Sequence, residues 1–132
     1  MFKLSKQADY AIQLLFRLSK VKEGETLSLR IFSEESNISF LFLQRIAGEL
    51  KRAKIIDSKQ GTKGGYALVR PYKDISLLEV IDAVDKQIVA PCIIDKKTCR
   101  HLEKCTIKKG IVQVQHQMIS VLKKTPIAQL TA

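Results

Sequence analysis

Cys92, Cys99 and Cys105 are the only cysteines in the chain, and they share one short segment with the spacing Cys-x6-Cys-x5-Cys. An odd number of thiols so placed does not make a disulfide framework. The spacing also lacks the paired Cys-x2-Cys knuckles of a zinc ribbon, so zinc fits poorly. Three thiolates in one segment suit a metal or iron–sulfur centre that takes a further ligand from elsewhere. Lys96, Lys97, Arg100 and Lys104 surround them, and their charge offsets the negative charge of a bound cluster. His101 is the ligand candidate inside the segment, with Glu103 a weaker one. The competing readings are three unliganded cysteines or a zinc site, with His101 merely solvated, as His116 is read to be.

A second group of residues is suited to anions. From Ser58 to Pro71 the chain reads Ser-Lys-Gln-Gly-Thr-Lys-Gly-Gly-Tyr-Ala-Leu-Val-Arg-Pro. Gly61, Gly64 and Gly65 can take positive φ, so a sharp turn is expected there. Lys59 and Lys63 are expected on its exposed tip. Tyr66, Leu68 and Arg70 alternate with Ala67 and Val69, the period of a strand. Lys51, Arg52, Lys54 and Lys73 add charge nearby, opposed only by Asp57 and Asp74. Over its 132 residues the chain holds 23 Lys and Arg against 13 Asp and Glu, a net charge of +10. That balance points to nucleic acid first and an anionic membrane second. The uneven clustering argues against a generically basic protein.

These groups need elements to hold them. Ser5 is a plausible cap for a first helix to about Lys20, with Ala8, Ala11, Ile12, Leu15 and Leu18 as its apolar stripe. After a turn at Gly24, Ser28 opens a second helix over Leu29 to Ser36. Asn37-Ile38-Ser39 is a short turn, and Ser39 caps a third helix from Phe40 to Ala53 with Leu43, Ile46, Ala47 and Leu50 inward. Two helices joined by a tight polar turn are a helix-turn-helix pattern. Ile55 to Ser58 and Tyr66 to Val69 are the expected strands of a basic hairpin, the wing. Ser76-Leu77-Leu78-Glu79 reads as a capping box for a fourth helix to about Asp85. Thr106 to Lys124 is the last helix. Its Ile107, Ile111, Val114, Met118 and Val121 recur at four and three, a seam for a partner helix rather than for its own domain. Ile127 to Ala132 is expected to be loose.

The pattern is mainly α with a small β-wing. It divides into a winged helix-turn-helix domain (1–85), a cysteine-rich segment (86–105), and a dimerisation helix with its tail (106–132). The chain is 45% hydrophobic, enough for a core, and no apolar run approaches the ~20 residues of a bilayer span. Met1 to Lys6 contains no signal-peptide apolar region, so a cytoplasmic protein is expected. Paired acids at a pocket, a phosphate loop and a Ser/His/Asp set are all lacking, so the chain is read as no enzyme.

The third helix is expected to enter the major groove by its N-terminal end. Ser39, Phe40, Leu41, Gln44 and Arg45 lie on that leading face. Gln44 can pair with adenine, and Arg45 with guanine or a phosphate. Phe40 and Leu41 can touch thymine methyls or staple the helix start. Lys51 and Arg52 are read as phosphate contacts. Lys59, Gln60, Thr62 and Lys63 would reach the adjacent minor groove. Ser28 and Gly64 complete the expected DNA-facing set.

Ser5-Lys6-Gln7-Ala8-Asp9-Tyr10-Ala11, the helix-turn-helix at 28–53, Gly61-Thr62-Lys63-Gly64-Gly65-Tyr66 with Arg70-Pro71, and the three cysteines resemble the Rrf-two family of bacterial winged-helix regulators. The likeness covers nearly the whole chain. It implies a homodimer on a double-stranded DNA operator with dyad symmetry, with the long helix at the interface; repression is expected, with activation left open. The cysteines fall on the positions of its iron–sulfur subgroup (IscR/NsrR/RirA-type), which implies a [2Fe–2S] or [4Fe–4S] cluster. Lys108 stands where IscR-type members have a histidine. Asp9 stands where NsrR-type members supply an aspartate from the other subunit, so the resemblance implies Cys92, Cys99, Cys105 and Asp9 as ligands. Gln60 replaces the family's usual wing arginine. The other implied possibility is a cluster-free regulator controlled by a partner protein or small molecule.

Overall fold

The structure, a computed structural model, describes residues 3–61, 64–85 and 105–131. Among the described residues, five helices and one two-stranded antiparallel sheet follow in order: α1 (Lys6–Ser19), α2 (Leu29–Ser36), α3 (Phe40–Arg52), β1 (Ile56–Lys59), β2 (Gly65–Leu68), α4 (Leu77–Asp85) and α5 (Lys108–Lys124). Short 3-10 turns at Tyr72–Asp74 and Ile127–Gln129 flank α4 and α5.

The helices form where their apolar stripes can meet. Ala8, Ala11, Ile12, Leu15 and Leu18 of α1 are buried, as are Leu43, Ile46, Ala47 and Leu50 of α3. Val80 and Ile81 of α4 complete the contact. Each large aliphatic side chain so buried stabilises the fold by ~1.5–3 kcal/mol. The Ser5 hydroxyl accepts from the Ala8 amide at 3.0 Å and donates to the Asp85 carboxylate at 2.7 Å, joining the start of α1 to the end of α4. Arg17 grips Glu35 at 2.8 and 3.1 Å and fixes α1 to α2. That side-chain hydrogen bonding raises the Arg17 pKa and lowers that of Glu35.

Asn37, at φ 62°, ends α2 and reverses the chain, while Ile38 anchors the turn in the core. Lys54, at φ 60°, does the same for α3. The Ile55 amide is thereby committed to the Leu50 carbonyl at 3.0 Å. The ladder therefore starts one residue later than expected, pairing Ile56 with Leu68 and Lys59 with Gly65. On its other side Tyr66 exchanges two 2.9 Å hydrogen bonds with Leu27. Flanked on both sides, β2 is half-buried throughout rather than alternating. Of the wing glycines only Gly61 has positive φ (123°). Gly65 is needed for close approach instead: a Cβ there would lie 2.4 Å from the Leu27 carbonyl oxygen.

The capping box forms, with the Ser76 amide donating to Glu79 at 2.8 Å and the Glu79 amide to the Ser76 hydroxyl at 3.2 Å. Glu79 also receives the Arg70 guanidinium. Arg70 is thus a fastening between the wing's exit and α4. The tail expected to be loose is instead anchored in the core by Ile127, while Gln129 and Leu130 stay exposed. Pro126 ends the helix and pairs with Ser76, which carries Ile127 into full burial with its amide on the Ile75 carbonyl at 2.9 Å. The Tyr72 and Thr131 hydroxyls meet at 2.5 Å. On α5 only Leu122 is buried. Ile107, Ile111, Val114 and Val121 of its seam are exposed and Met118 is half-buried.

Gly65→Ala is expected to destabilise the chain by ~1–3 kcal/mol in urea denaturation through that clash. Gly48→Ala, in open space on α3, is expected to stabilise it by ~0.5–1 kcal/mol. Burial raises the Glu79 pKa, but the hydrogen bonds from Ser76 and Arg70 outweigh it and hold the pKa below the ordinary 4.5. The stability Glu79 contributes is therefore present above pH 4.5 and is lost as pH falls through its lower folded value. Glu79→Gln is expected to cost up to ~1 kcal/mol at neutral pH. That difference should shrink below pH 4.5 in urea melts.

Candidate nucleic-acid interface

A helix start leaves amides without intrahelical partners, and a serine cap normally takes one. Ser5 and Ser76 do so for α1 and α4. Ser28 and Ser39, at the starts of α2 and α3, make no side-chain cap bond. The two helices of the helix-turn-helix thus keep hydroxyls and amides available to anions such as phosphate oxygens.

The wing lies beside the first of these starts. Thr26, Ser28, Ile31, Lys59, Gln60, Gly61 and Gly64 line one groove of about 700 Å³. The structure therefore brings Ser28, Lys59, Gln60 and Gly64 together. Thr62 and Lys63 lie outside the described residues. Lys51 donates to the Ser58 hydroxyl at 2.7 Å, so its ammonium sits against β1. Ser39, Leu41, Gln44 and Arg45 project from the leading end of α3, and Leu41 is 75% exposed. Phe40 is half-buried beneath the Arg30 guanidinium, 4.7 Å from its ring centre. Sequence reasoning missed Arg30. Its stacking joins α2 to α3 across the turn, a pairing that no local spacing announces. A second cleft, of about 570 Å³, is bounded by Lys6, Tyr10, Asn37, Ile38, Ser39, Leu41, Phe42 and Arg45.

Of the expected metal ligands, Asp9 is exposed in the first turn of α1, where it accepts from the Gln13 amide at 3.1 Å. Cys105 is half-buried with a free thiol, just before α5. Cys92 and Cys99, with His101 and Glu103, lie outside the described residues. Among the described residues no three His, Cys, Asp or Glu side chains form a group able to hold a metal. α4 ends at Asp85, which accepts from Ser5, about one helical turn before Asp9 along α1. No helix among the described residues is long and apolar enough to cross a membrane.

Residues 4–132 match the profile of the family described as "Rrf2: Iron-dependent Transcriptional regulator". The chain is 28% identical over 130 residues to the HTH-type transcriptional regulator ORF2 of Azotobacter vinelandii, covering 98% of this chain and 79% of that protein. It is 32% identical over 90 residues to the HTH-type transcriptional regulator IscR of Cereibacter sphaeroides, covering 67% of this chain and 58% of that protein. The fold matches the oxidized form of Staphylococcus aureus CymR with a TM-score of 0.69 at 26% identity, covering 98% and 95% of the two chains.

Ser5→Ala should cost ~1 kcal/mol in thermal or urea melts, because it removes a formed cap. Ser39→Ala should change stability by no more than ~0.5 kcal/mol yet weaken binding to duplex DNA in gel-shift titration.

Proposed function

The chain belongs to the Rrf2 family of transcriptional regulators, and from that premise we propose that it is a dimeric repressor whose grip on DNA is set by an iron–sulfur cluster. The observation that carries the reading is the run Cys92, Cys99, Cys105 placed between α4 and α5. Thiolates are the ligands such clusters take, and the family's description is iron-dependent. The described donors fit: Cys105 has no disulfide partner among the described residues, and the Asp9 carboxylate is exposed. When bound, the cluster supplies a redox-, iron- or nitric-oxide-sensitive crosslink.

The remaining work falls to the chain's own residues. Ile107, Ile111, Val114, Met118 and Val121 offer an apolar seam on α5 for a second copy, which is the reading of 106–132 as a dimerisation element. Asp9 reaches from one protomer towards the cysteines of its partner. Ser5 and Asp85 tie the root of the ligand segment to α1, and α1 packs on α3. A change at the cysteines would thereby be passed through α1 to the recognition helix. On a dyad operator two recognition helices must sit about 34 Å apart. Small rotations are enough for the ~1–3 kcal/mol of an allosteric coupling. Ser28, Ser39, Phe40, Leu41, Gln44, Arg45, Lys51, Lys59, Gln60, Thr62, Lys63 and Gly64 form the proposed DNA-facing set, acting in the cytoplasm.

A second reading is a cluster-free regulator governed by a partner protein or small molecule, supported by the likeness to S. aureus CymR at 26% identity and a TM-score of 0.69. One experiment separates the two. Protein purified without oxygen should be coloured and carry iron and sulfide. Stripping the cluster should change affinity for a duplex selected from a random pool by roughly 5- to 150-fold. Serine at all three cysteines should abolish both properties, and Asp9→Ala should alter the absorption spectrum. A colourless preparation whose affinity ignores the cysteine substitutions establishes the second reading.

A further inference from the structure

We infer that the cleft between α1 and the leading end of α3 is a seat for a DNA backbone phosphate, held by Lys6, Arg45 and the Tyr10 hydroxyl. The inference rests on the DNA-binding activity alone and is independent of the cysteine segment. Its first support is charge. Among the described arginines, Arg17, Arg52 and Arg70 each hold a carboxylate, and Arg30 lies on the Phe40 ring. Arg45 has neither partner among the described residues, although it shares the cleft with a second cation, Lys6. Two unpaired cations lining one concavity repel each other, and an anion between them removes that repulsion.

The second support is placement. Lys6 is the first residue of α1, where a cation works against the helix dipole. Lys6 makes no ion pair among the described residues, and the acid of its helical turn, Asp9, is bonded to Gln13. The third is the built wall. Tyr10 packs edge-on against Phe42, ring centres 5.5 Å apart at 86°, which fixes the ring that carries the hydroxyl. That hydroxyl has no hydrogen-bond partner among the described residues.

The cleft also lies where a backbone must pass. It shares Ser39, Leu41 and Arg45 with the leading end of α3, whereas the wing groove opens on the start of α2. With α3 in the major groove, the wing side takes one flanking strand and the α1 side faces the other. Arg45 then serves position rather than base identity, narrowing the two roles that its residue type allows.

The test is a salt titration of the full chain on two duplexes, one selected from a random pool by the unsubstituted protein and one of unrelated mixed sequence. Lys6→Gln and Arg45→Gln should each lower the slope of log K against log salt by about 0.9 per binding domain. Each should weaken both duplexes by the same factor. Tyr10→Phe should cause a smaller uniform loss without changing the slope. An unchanged slope for Lys6→Gln, or a loss with Arg45→Gln confined to the selected duplex, overturns the seat. Circular dichroism melts at wild-type temperatures tie the losses to binding. If the unsubstituted chain binds neither duplex at any salt, the DNA-binding reading falls and takes the seat with it.

Discussion

One carboxylate joins three segments that are distant in sequence. Glu79 takes the Ser76 amide, the Ser76 hydroxyl and the Arg70 guanidinium. Ser76 in turn pairs with Pro126. The exit of the wing, the start of α4 and the segment after α5 therefore meet at a single anion. Each of these is short or marginal alone: a four-residue strand, a nine-residue helix, a three-residue turn. A two-stranded hairpin has little independent stability in water, so its attachment decides whether it keeps one orientation. Ile75 and Ile127, both fully buried, seal the same junction from within.

Charge is distributed with the same economy. The core contains no buried polar or charged side chain among the described residues, so their charges are carried on the surface. Away from the helix-turn-helix starts, arginines are matched by glutamates and α1 and α4 are capped, while α5 begins at Ile107 without a side-chain cap. At those starts, hydroxyls, amides and Arg45 are left unmatched. A protein that binds a polyanion must leave such groups unsatisfied in its free state, and here the deficit lies around one edge of the fold.

Much of this was legible in the sequence because its signals are local. The Ser5 cap, the Ser76–Glu79 box and the spacing of buried residues on α1 and α3 each fall within a helical turn or two. What was hidden depended on distant partners. The strands shifted by one residue because Lys54 turns left-handed and Ile55 spends its amide on α3. Gly65 looked like a turn residue, yet its requirement comes from Leu27, far away in sequence. The tail read as loose because Ile127 finds its pocket only once Ser76 and Pro126 have paired. At the interface, Gln44 and Leu41 were evident from helix phase. Arg30 on Phe40 and the cleft of Lys6 with Arg45 needed tertiary contacts to appear.

α5 can act as a lever about its C-terminal end, with Val112, Gln115, Met118 and Ile119 half-buried along its length. Its seventeen residues extend about 25 Å, and its buried side chain, Leu122, lies near the end that abuts Ile127 and the Glu79 junction. Cys105 stands at the opposite, far end. With that geometry, a tilt of about 10° at the clamp swings the distal tip by about 4 Å over the helix length. Conversely, a force applied at the tip is returned, multiplied by the arm, to the joint from which the hairpin hangs.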